Sequence, residues 1–179
     1  MKIQQYLLVL LEVLFPYMLN ADITEDIHFS HIGLEEGLSH STIFAINQDK
    51  GGNLWFATYD GVNKYDGYNF TVYRHQYTHP NSIASDISRC ITMDDSDRIW
   101  IGTREGLSLY NHYKDEFSNY YYKRNGLNVA VTSIIPIKKD WLMLGTAEGI
   151  LLFDVRVFPF GYIILFFAWI AAGSFGTSG

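Results

Sequence analysis

The hydrophobic and polar positions after about residue 40 follow the short periods of β-strands. Apolar, β-branched and aromatic runs, such as LWFAT at 54–58 and RIWIGT at 98–103, alternate with turn-forming clusters, such as DKGGN at 49–53. Glycine permits positive φ in such turns, and Asp and Asn hydrogen-bond to the nearby backbone. After residue 22 there is no run of about ten residues with helical periodicity. The pattern therefore predicts short strands joined by hairpins.

One motif occurs three times, at 53–67, 97–111 and 141–154. Aligning the small residue that precedes threonine gives offsets of 45 and 43 residues, and the later glycines and the aromatic residues then coincide. Periods of about 40–45 residues are typical of propeller blades and of some helical arrays. The landmark residues of the three copies are Trp55, Gly61 and Tyr65; Trp100, Gly102, Gly106 and Tyr110; and Gly145, Gly149 and Phe153.

The number of strands in each copy decides between these architectures. Four short strands in about 45 residues make the blade of a β-propeller, whereas a helical array needs longer helical runs. The sequence therefore predicts an all-β fold: a partial β-propeller of about three four-stranded blades, at about 41–75, 86–124 and 130–156, with an N-terminal signal helix and an apolar C-terminal tail. In this interpretation the Trp and the small residue pack neighbouring blades, the glycine makes a turn, and the aromatic residue fills the space between blades.

The two ends of the chain depart from the strand pattern. Residues 1–21 have one lysine, a largely apolar stretch interrupted by Glu12, and a small residue, Ala21. These features predict a signal peptide and an exported protein, periplasmic or associated with the inner membrane; an uncleaved anchor and an ordinary amphipathic helix are the alternatives. Residues 22–156 hold the predicted blades, and residues 157–179 form an apolar tail.

The third copy is weaker than the first two. Met143 stands where the other copies have tryptophan, and the tail lacks the mixed polarity of SNYYYKRN, so we expect no fourth strand there. We consider three interpretations of the tail: truncation with an altered sequence, a membrane segment, or an atypical strand that pairs with another chain. Further copies of the motif in another reading frame downstream of codon 156 would establish truncation.

Composition and charge exclude several classes of function. Thirteen Lys and Arg face 19 Asp and Glu, for a net charge of -6 without a basic stripe, so we expect no nucleic-acid partner. The single cysteine, Cys90, allows no internal disulfide and no multi-cysteine metal site. No helix with fixed ligand spacing is expected around the His and Glu residues of 28–40, and 94–97 (DDSD) is better explained as a hairpin turn than as a calcium loop. We therefore predict no metal, no cofactor and no catalytic residues.

Candidate ligand-binding residues lie in the loops expected at one end of the blades. These loops precede the first strand of a blade or join its second and third strands. An exposed tyrosine can stack on a sugar face, and the charged residues can hydrogen-bond to hydroxyls or to an acidic sugar. Each of them alone is better explained as a solvated turn residue. The candidates are Ser39, His40, Tyr59, Asp60, Arg104 and Glu105. The equivalent loop pairs are 85–86 and 147–148.

The motifs carry a resemblance to a known family. GNLWFATYDGVNKYDG and DRIWIGTREGLSLYN resemble the two-component regulator propeller repeat, and 29–75 resembles the first blade of the periplasmic sensor of bacterial hybrid two-component histidine kinases. The resemblance covers roughly 27–160. It implies a non-catalytic extracytoplasmic sensor fragment of a system whose members sense oligosaccharides, with the kinase absent from this chain. The implied partners are an oligosaccharide and further blades, or another chain, on the exposed blade edges.

Three copies are fewer than the four to eight blades that close a propeller. An open stack exposes an apolar face, so the chain alone is expected to be marginally stable or prone to aggregation. Two other functions stay open: a propeller-type binding or scaffold protein anchored at the membrane, and a propeller enzyme such as a lyase or glycoside hydrolase. Titration with oligosaccharides separates the sensor from the scaffold, and product formation identifies the enzyme.

Overall fold

The computed structural model describes residues 28–138, 140–156 and 163–164, with a single turn of 3-10 helix at Leu34–Glu36. Three four-stranded antiparallel sheets follow one another, and in each the strand order in space is the order in the chain. The first sheet consists of β1 (Ile43–Gln48), β2 (Leu54–Thr58), β3 (Val62–Tyr65) and β4 (Phe70–Tyr73). The second consists of β5 (Ser88–Met93), β6 (Ile99–Thr103), β7 (Gly106–Asn111) and β8 (Glu116–Tyr120).

A two-stranded ribbon of β9 (Lys123–Arg124) and β10 (Leu127–Asn128) links the second sheet to the third. The third sheet consists of β11 (Val131–Lys138), β12 (Trp141–Thr146), β13 (Gly149–Asp154) and β14 (Ile163–Ile164). Three successive four-stranded meanders confirm the predicted all-β class and its blade-like units.

The expectation that the third sheet lacks a fourth strand was wrong. Ile163 and Ile164 pair with Phe153 and Leu152, so β14 extends the sheet by two residues. Backbone hydrogen bonds make this pairing, and they do not need the mixed polarity of the other outer strands. The predicted signal helix and most of the predicted apolar tail lie outside the described residues. No helix in the described parts of the chain has the length and apolar character to cross a membrane.

Aromatic contacts join each sheet to the next. The ring of Trp55 in the first sheet lies 4.7 Å from that of Tyr110 in the second, and the ring of Trp100 in the second lies 5.7 Å from that of Phe153 in the third. Trp55 is 1% exposed and Trp100 is 0% exposed. Each pair contributes about 0.5–1.5 kcal/mol to stability, beyond the contribution of the apolar area that it buries. The tryptophan of one sheet therefore contacts the repeated aromatic residue of the next. Tyr65 is the equivalent of Tyr110 and Phe153 in the first sheet, and its ring lies 4.6 Å from that of Phe70 in its own sheet.

Each buried tryptophan has an aspartate six residues before it. The indole Nε1–H of Trp55 donates to Asp49 Oδ2 and that of Trp100 to Asp94 Oδ2, both at 2.8 Å. Burial alone would raise the pKa of Asp94, but the hydrogen bonds from Trp100 and its other neighbours bring the pKa below its ordinary value. In the third copy Ile137 and Met143 stand at these two positions. The donor and its acceptor are thus replaced together, as expected when a buried N–H requires a partner.

A carboxylate also joins the outer strand of the first sheet to the third strand of the second sheet. Asp115, in the turn between β7 and β8, accepts hydrogen bonds at Oδ1 from the Tyr73 hydroxyl at 2.6 Å and from the Tyr110 hydroxyl at 2.7 Å. These two bonds lower the pKa of Asp115 below its ordinary value of 3.8. A carboxylate with a lowered pKa stabilises the fold above pH 3.8 and loses that contribution as the pH falls through its folded-state pKa.

The variant Asp115→Asn is therefore expected to flatten the acid side of the stability profile. Asparagine keeps an acceptor oxygen and tolerates the positive φ of 56° at this position, so the loss at pH 7 is expected to be about 1 kcal/mol. Below about pH 4 the wild type is expected to lose stability more steeply than the variant. Urea unfolding of the full chain between pH 2 and 7 measures both profiles, and parallel profiles would contradict the role of Asp115.

Candidate functional site

The threonine of each repeat fixes the turn that follows it. In the second sheet the Thr103 hydroxyl donates to the Gly106 carbonyl at 3.0 Å and accepts the N–H of Glu105 at 3.2 Å. Thr58 makes the same two bonds in the first sheet, at 2.9 and 3.1 Å, and Thr146 makes them in the third, at 2.8 and 3.1 Å. The turns that join the second and third strands are therefore built alike, and each presents two residues at the same end of its sheet.

A groove of about 580 Å³ lies at this end of the second sheet. It is bounded by the loop before β5, by the turn between β6 and β7, and by the segment that leads into the β9–β10 ribbon. Arg104 N–H donates to the Ile87 carbonyl at 2.9 Å, which holds the turn against the loop. The lining residues are His75, Tyr77, Ala84, Ser85, Asp86, Ile87, Arg104, Glu105, Tyr121, Lys123 and Asn128.

Aromatic side chains form part of the groove wall. Tyr77 is 97% exposed and Tyr121 is 46% exposed, so both rings offer a face to a ligand. His75 contacts Tyr77 with ring centroids 4.8 Å apart, and His75 itself is held by its backbone N–H on Asp86 Oδ1 at 2.6 Å and by Nδ1 against the Ile83 carbonyl at 2.8 Å. This wall is therefore anchored to the loop before β5.

The polar side of the groove centres on Glu105 and Asn128. The Asn128 amide donates to Glu105 Oε2 at 3.0 Å. Asn128 Oδ1 is buried and receives no hydrogen bond within the described structure. Burial and the nearby Glu105 carboxylate raise the pKa of Tyr121 above its ordinary value, so this tyrosine keeps its proton at neutral pH. The groove thus combines a buried acceptor oxygen, a neutral phenol and charged groups.

A second recess of about 220 Å³ adjoins the groove along Asn128, which lines both. It lies between the β9–β10 ribbon and the turn between β12 and β13. There Arg124 forms a salt bridge with Glu148 at 2.6 Å. The two recesses share Asn128, one beside the second sheet and the other beside the third.

Two of the six candidates predicted from the sequence, Arg104 and Glu105, line this groove. The other four lie on the first sheet. Tyr59 is exposed and its ring contacts those of His40 and Phe44 at 5.8 and 5.7 Å. Asp60 is occupied by Arg74, which donates to both of its carboxylate oxygens, at 3.0 and 2.8 Å.

Ser39 has a structural role that the next sheet repeats. Its N–H donates to Asn63 Oδ1 at 2.9 Å and its hydroxyl accepts from the Asn63 amide at 2.7 Å. In the second sheet the N–H of Ala84 donates to the Ser108 hydroxyl at 3.2 Å. These bonds hold the connecting segment on the sheet, so the Ser39 hydroxyl is already engaged.

Sequence reasoning did not select His75, Tyr77, Tyr121, Lys123 and Asn128. The run YYYK at 120–123 has three consecutive tyrosines at the end of an outer strand. It was the sequence signal that could have identified Tyr121 and Lys123. No group of three or more His, Cys, Asp or Glu side chains within the described residues is placed to hold a metal ion.

Comparison with known proteins gives a matching family model and a curated relative. The family model for the two component regulator propeller matches residues 37–60 and 82–105, which include the beginning of each of the first two copies of the motif and the segment before it. Histidine kinase P4 of Formosa agariphila is 47% identical over 49 residues, which are 27% of this chain and 4% of that protein.

Two solved structures share the fold. The extracellular domain of a hybrid two component system from B. thetaiotaomicron is 33% identical, with a TM-score of 0.63 over 71% of this chain. The extracellular domain of a one component system from the same organism is 17% identical, with a TM-score of 0.61 over 76% of this chain, and this likeness concerns the fold alone. The chain spans 19% and 18% of these two domains.

Proposed function

The chain carries two-component regulator propeller repeats, and on this premise we propose that it serves as part of the exported, non-catalytic sensor region of a two-component signalling protein, with an oligosaccharide as its ligand. Two observations support export: the signal-like sequence of residues 1–21, and the extracellular nature of the domain that is 33% identical. Fusion of residues 1–40 to a reporter enzyme that is active only outside the cytoplasm tests this part. Reporter activity is expected, and its absence would contradict export.

The observation that carries the proposal is the groove beside the turn between β6 and β7. Its exposed rings, Tyr77 and Tyr121, can pack against the apolar faces of sugar rings, and its polar groups can bond to hydroxyls. The second recess, which shares Asn128 with the groove, offers room for further sugar units of an extended ligand.

The competing function is that of an enzyme. Asp86 and Glu105 both line the groove, and glycosidases use two carboxylates. Each carboxylate already holds part of the groove: Asp86 accepts the His75 N–H, and Glu105 accepts the Asn128 amide. Incubation of the full chain with oligosaccharide mixtures, followed by chromatography of the products, decides the matter. We expect no products; cleavage lost in Glu105→Gln would favour the enzyme.

The variant Tyr121→Ala is expected to weaken oligosaccharide binding about 3- to 10-fold, because it removes one ring face from the groove. Isothermal titration of the full chain with defined tetrasaccharides, neutral and charged, measures the loss. Tyr113→Ala is the matched control: Tyr113 is 88% exposed and lies in the turn between β7 and β8, at the other end of the sheet, so binding is expected to be unchanged. Absence of binding to every tetrasaccharide, or equal affinities for the wild type and Tyr121→Ala, would contradict the proposed site.

A further inference from the structure

We infer that the ligand of the groove is an anionic oligosaccharide, with a carboxylate or sulfate group that Arg104 and Lys123 recognise; this inference rests on the proposed function. Both residues line the same recess, Arg104 from the turn between β6 and β7 and Lys123 from β9. Both side chains are exposed. Neither cation has an ion-pair or hydrogen-bond partner for its side chain among the described residues, whereas the neighbouring carboxylates are already hydrogen-bonded.

Arg104 stands apart from the other arginines that the structure describes. Each of the others has a carboxylate or an aromatic ring as its partner, whereas the Arg104 side chain has neither within the described residues. Lys123 likewise has no described ion-pair or hydrogen-bond partner for its ammonium group. The partnered arginines are Arg74 with Asp60, Arg89 with Phe44, Arg98 with Asp94, Arg124 with Glu148 and Arg156 with Asp154.

The carboxylates of the groove do not cancel these charges by direct pairing. Asp86 Oδ1 accepts the His75 N–H at 2.6 Å and Glu105 Oε2 accepts the Asn128 amide at 3.0 Å. Both acids thereby hold the groove wall, while the two cations keep their donors free for a ligand. An arginine fork binds a carboxylate or sulfate through two parallel hydrogen bonds, and a lysine adds a point charge.

The backbone of Arg104 is held in place before a ligand arrives. Its backbone N–H is bonded to Ile87, and the Thr103 hydroxyl closes the turn that carries it. In the adjoining recess the cation is Arg124, and Glu148 neutralises it. The anionic group is therefore expected beside Arg104, and the less charged part of the same oligosaccharide beside Asn128 and the second recess.

Two matched pairs of tetrasaccharides test the inference by isothermal titration of the full chain. The first pair is oligogalacturonate and its methyl ester, and the second is a sulfated galactan tetrasaccharide and its desulfated form. The anionic member of at least one pair is expected to bind about tenfold more tightly than its neutral form, since charge-assisted hydrogen bonds are the stronger kind. The pair that shows the preference distinguishes carboxylate from sulfate recognition.

The double variant Arg104→Ala/Lys123→Ala is expected to lose that preference, and rising salt is expected to weaken anionic binding in the wild type but not in the variant. Lys114→Ala is the control, because Lys114 is an exposed lysine at the opposite end of β7. Suppose that the neutral and anionic forms bind equally well and that Tyr121→Ala weakens the binding of both. That result would overturn this inference and leave the proposed function intact. Anionic binding that survives the double variant would also overturn it, and absence of all binding would overturn both.

Discussion

Replacing Trp100 by alanine is expected to lower the free energy of unfolding by about 3–5 kcal/mol. The side chain is fully buried between the second and third sheets, where its ring contacts Phe153. Its removal leaves a cavity and also leaves the buried Asp94 without its indole donor. Equilibrium unfolding of the full chain in urea, followed by circular dichroism, measures the effect.

Trp141→Ala is the control for this experiment. Trp141 is two residues away from the repeat position, is only partly buried, and lies beside Arg156 with 5.9 Å between the guanidinium carbon and the ring centroid. Its loss is expected to cost about 1 kcal/mol. Equal losses for the two variants would contradict the assignment of the repeated tryptophan to the contact between sheets.

The second large effect is expected at Gly102, where alanine should lower the free energy of unfolding by about 1–3 kcal/mol. A Cβ at this position would overlap the Cys90 sulfur and would lie 2.8 Å from the Val131 carbonyl oxygen of the third sheet. The third sheet therefore has to move away, and the contact between Trp100 and Phe153 has to loosen with it. Urea unfolding measures the loss.

A second substitution separates the two overlaps. Cys90→Ala in the Gly102→Ala background removes the sulfur and leaves the carbonyl, so we expect partial recovery relative to the sum of the single variants. A Gly102→Ala protein as stable as the wild type would show that the sheets do not depend on close approach at this residue.

The strands of the first two sheets were predictable because their apolar runs are short and bounded by strong turn residues. The run 54–58 matches β2, since Asn53 and Asp60 lie in the turns on either side. The same reasoning failed at β14, where two isoleucines within an apolar tail gave no sign of where pairing begins. Register in that strand is set by backbone bonding to β13, which a polarity pattern does not encode.

Two side-chain roles were visible in the sequence but not interpretable without geometry. The threonine after the small residue was used only to align the copies, although its hydroxyl closes the turn that presents Arg104 and Glu105. The aspartate six residues before Trp55 was assigned only to a hairpin, although it accepts the indole N–H. Both roles depend on which atoms face each other across a folded strand or turn.

For the same reason, only some of the groove residues could be predicted from the sequence. Arg104 and Glu105 were found because their turn recurs in every copy. Tyr121, Lys123 and Asn128 belong to the connection between the second and third sheets, and its path over the end of the second sheet follows from packing rather than from the repeat. The aromatic run at 120–123 was a signal of function, but its direction was set only by the fold.

Hydrogen–deuterium exchange of the full chain, with and without the tetrasaccharide that binds most tightly, tests whether the ligand binds in this groove. We expect slower exchange in three segments that border the groove, at 84–87, 103–106 and 121–128. The turn at 112–115, at the opposite end of the second sheet, is expected to exchange at an unchanged rate. Protection confined to 112–115, or binding that protects none of the three segments, would contradict the placement of the ligand site in this groove.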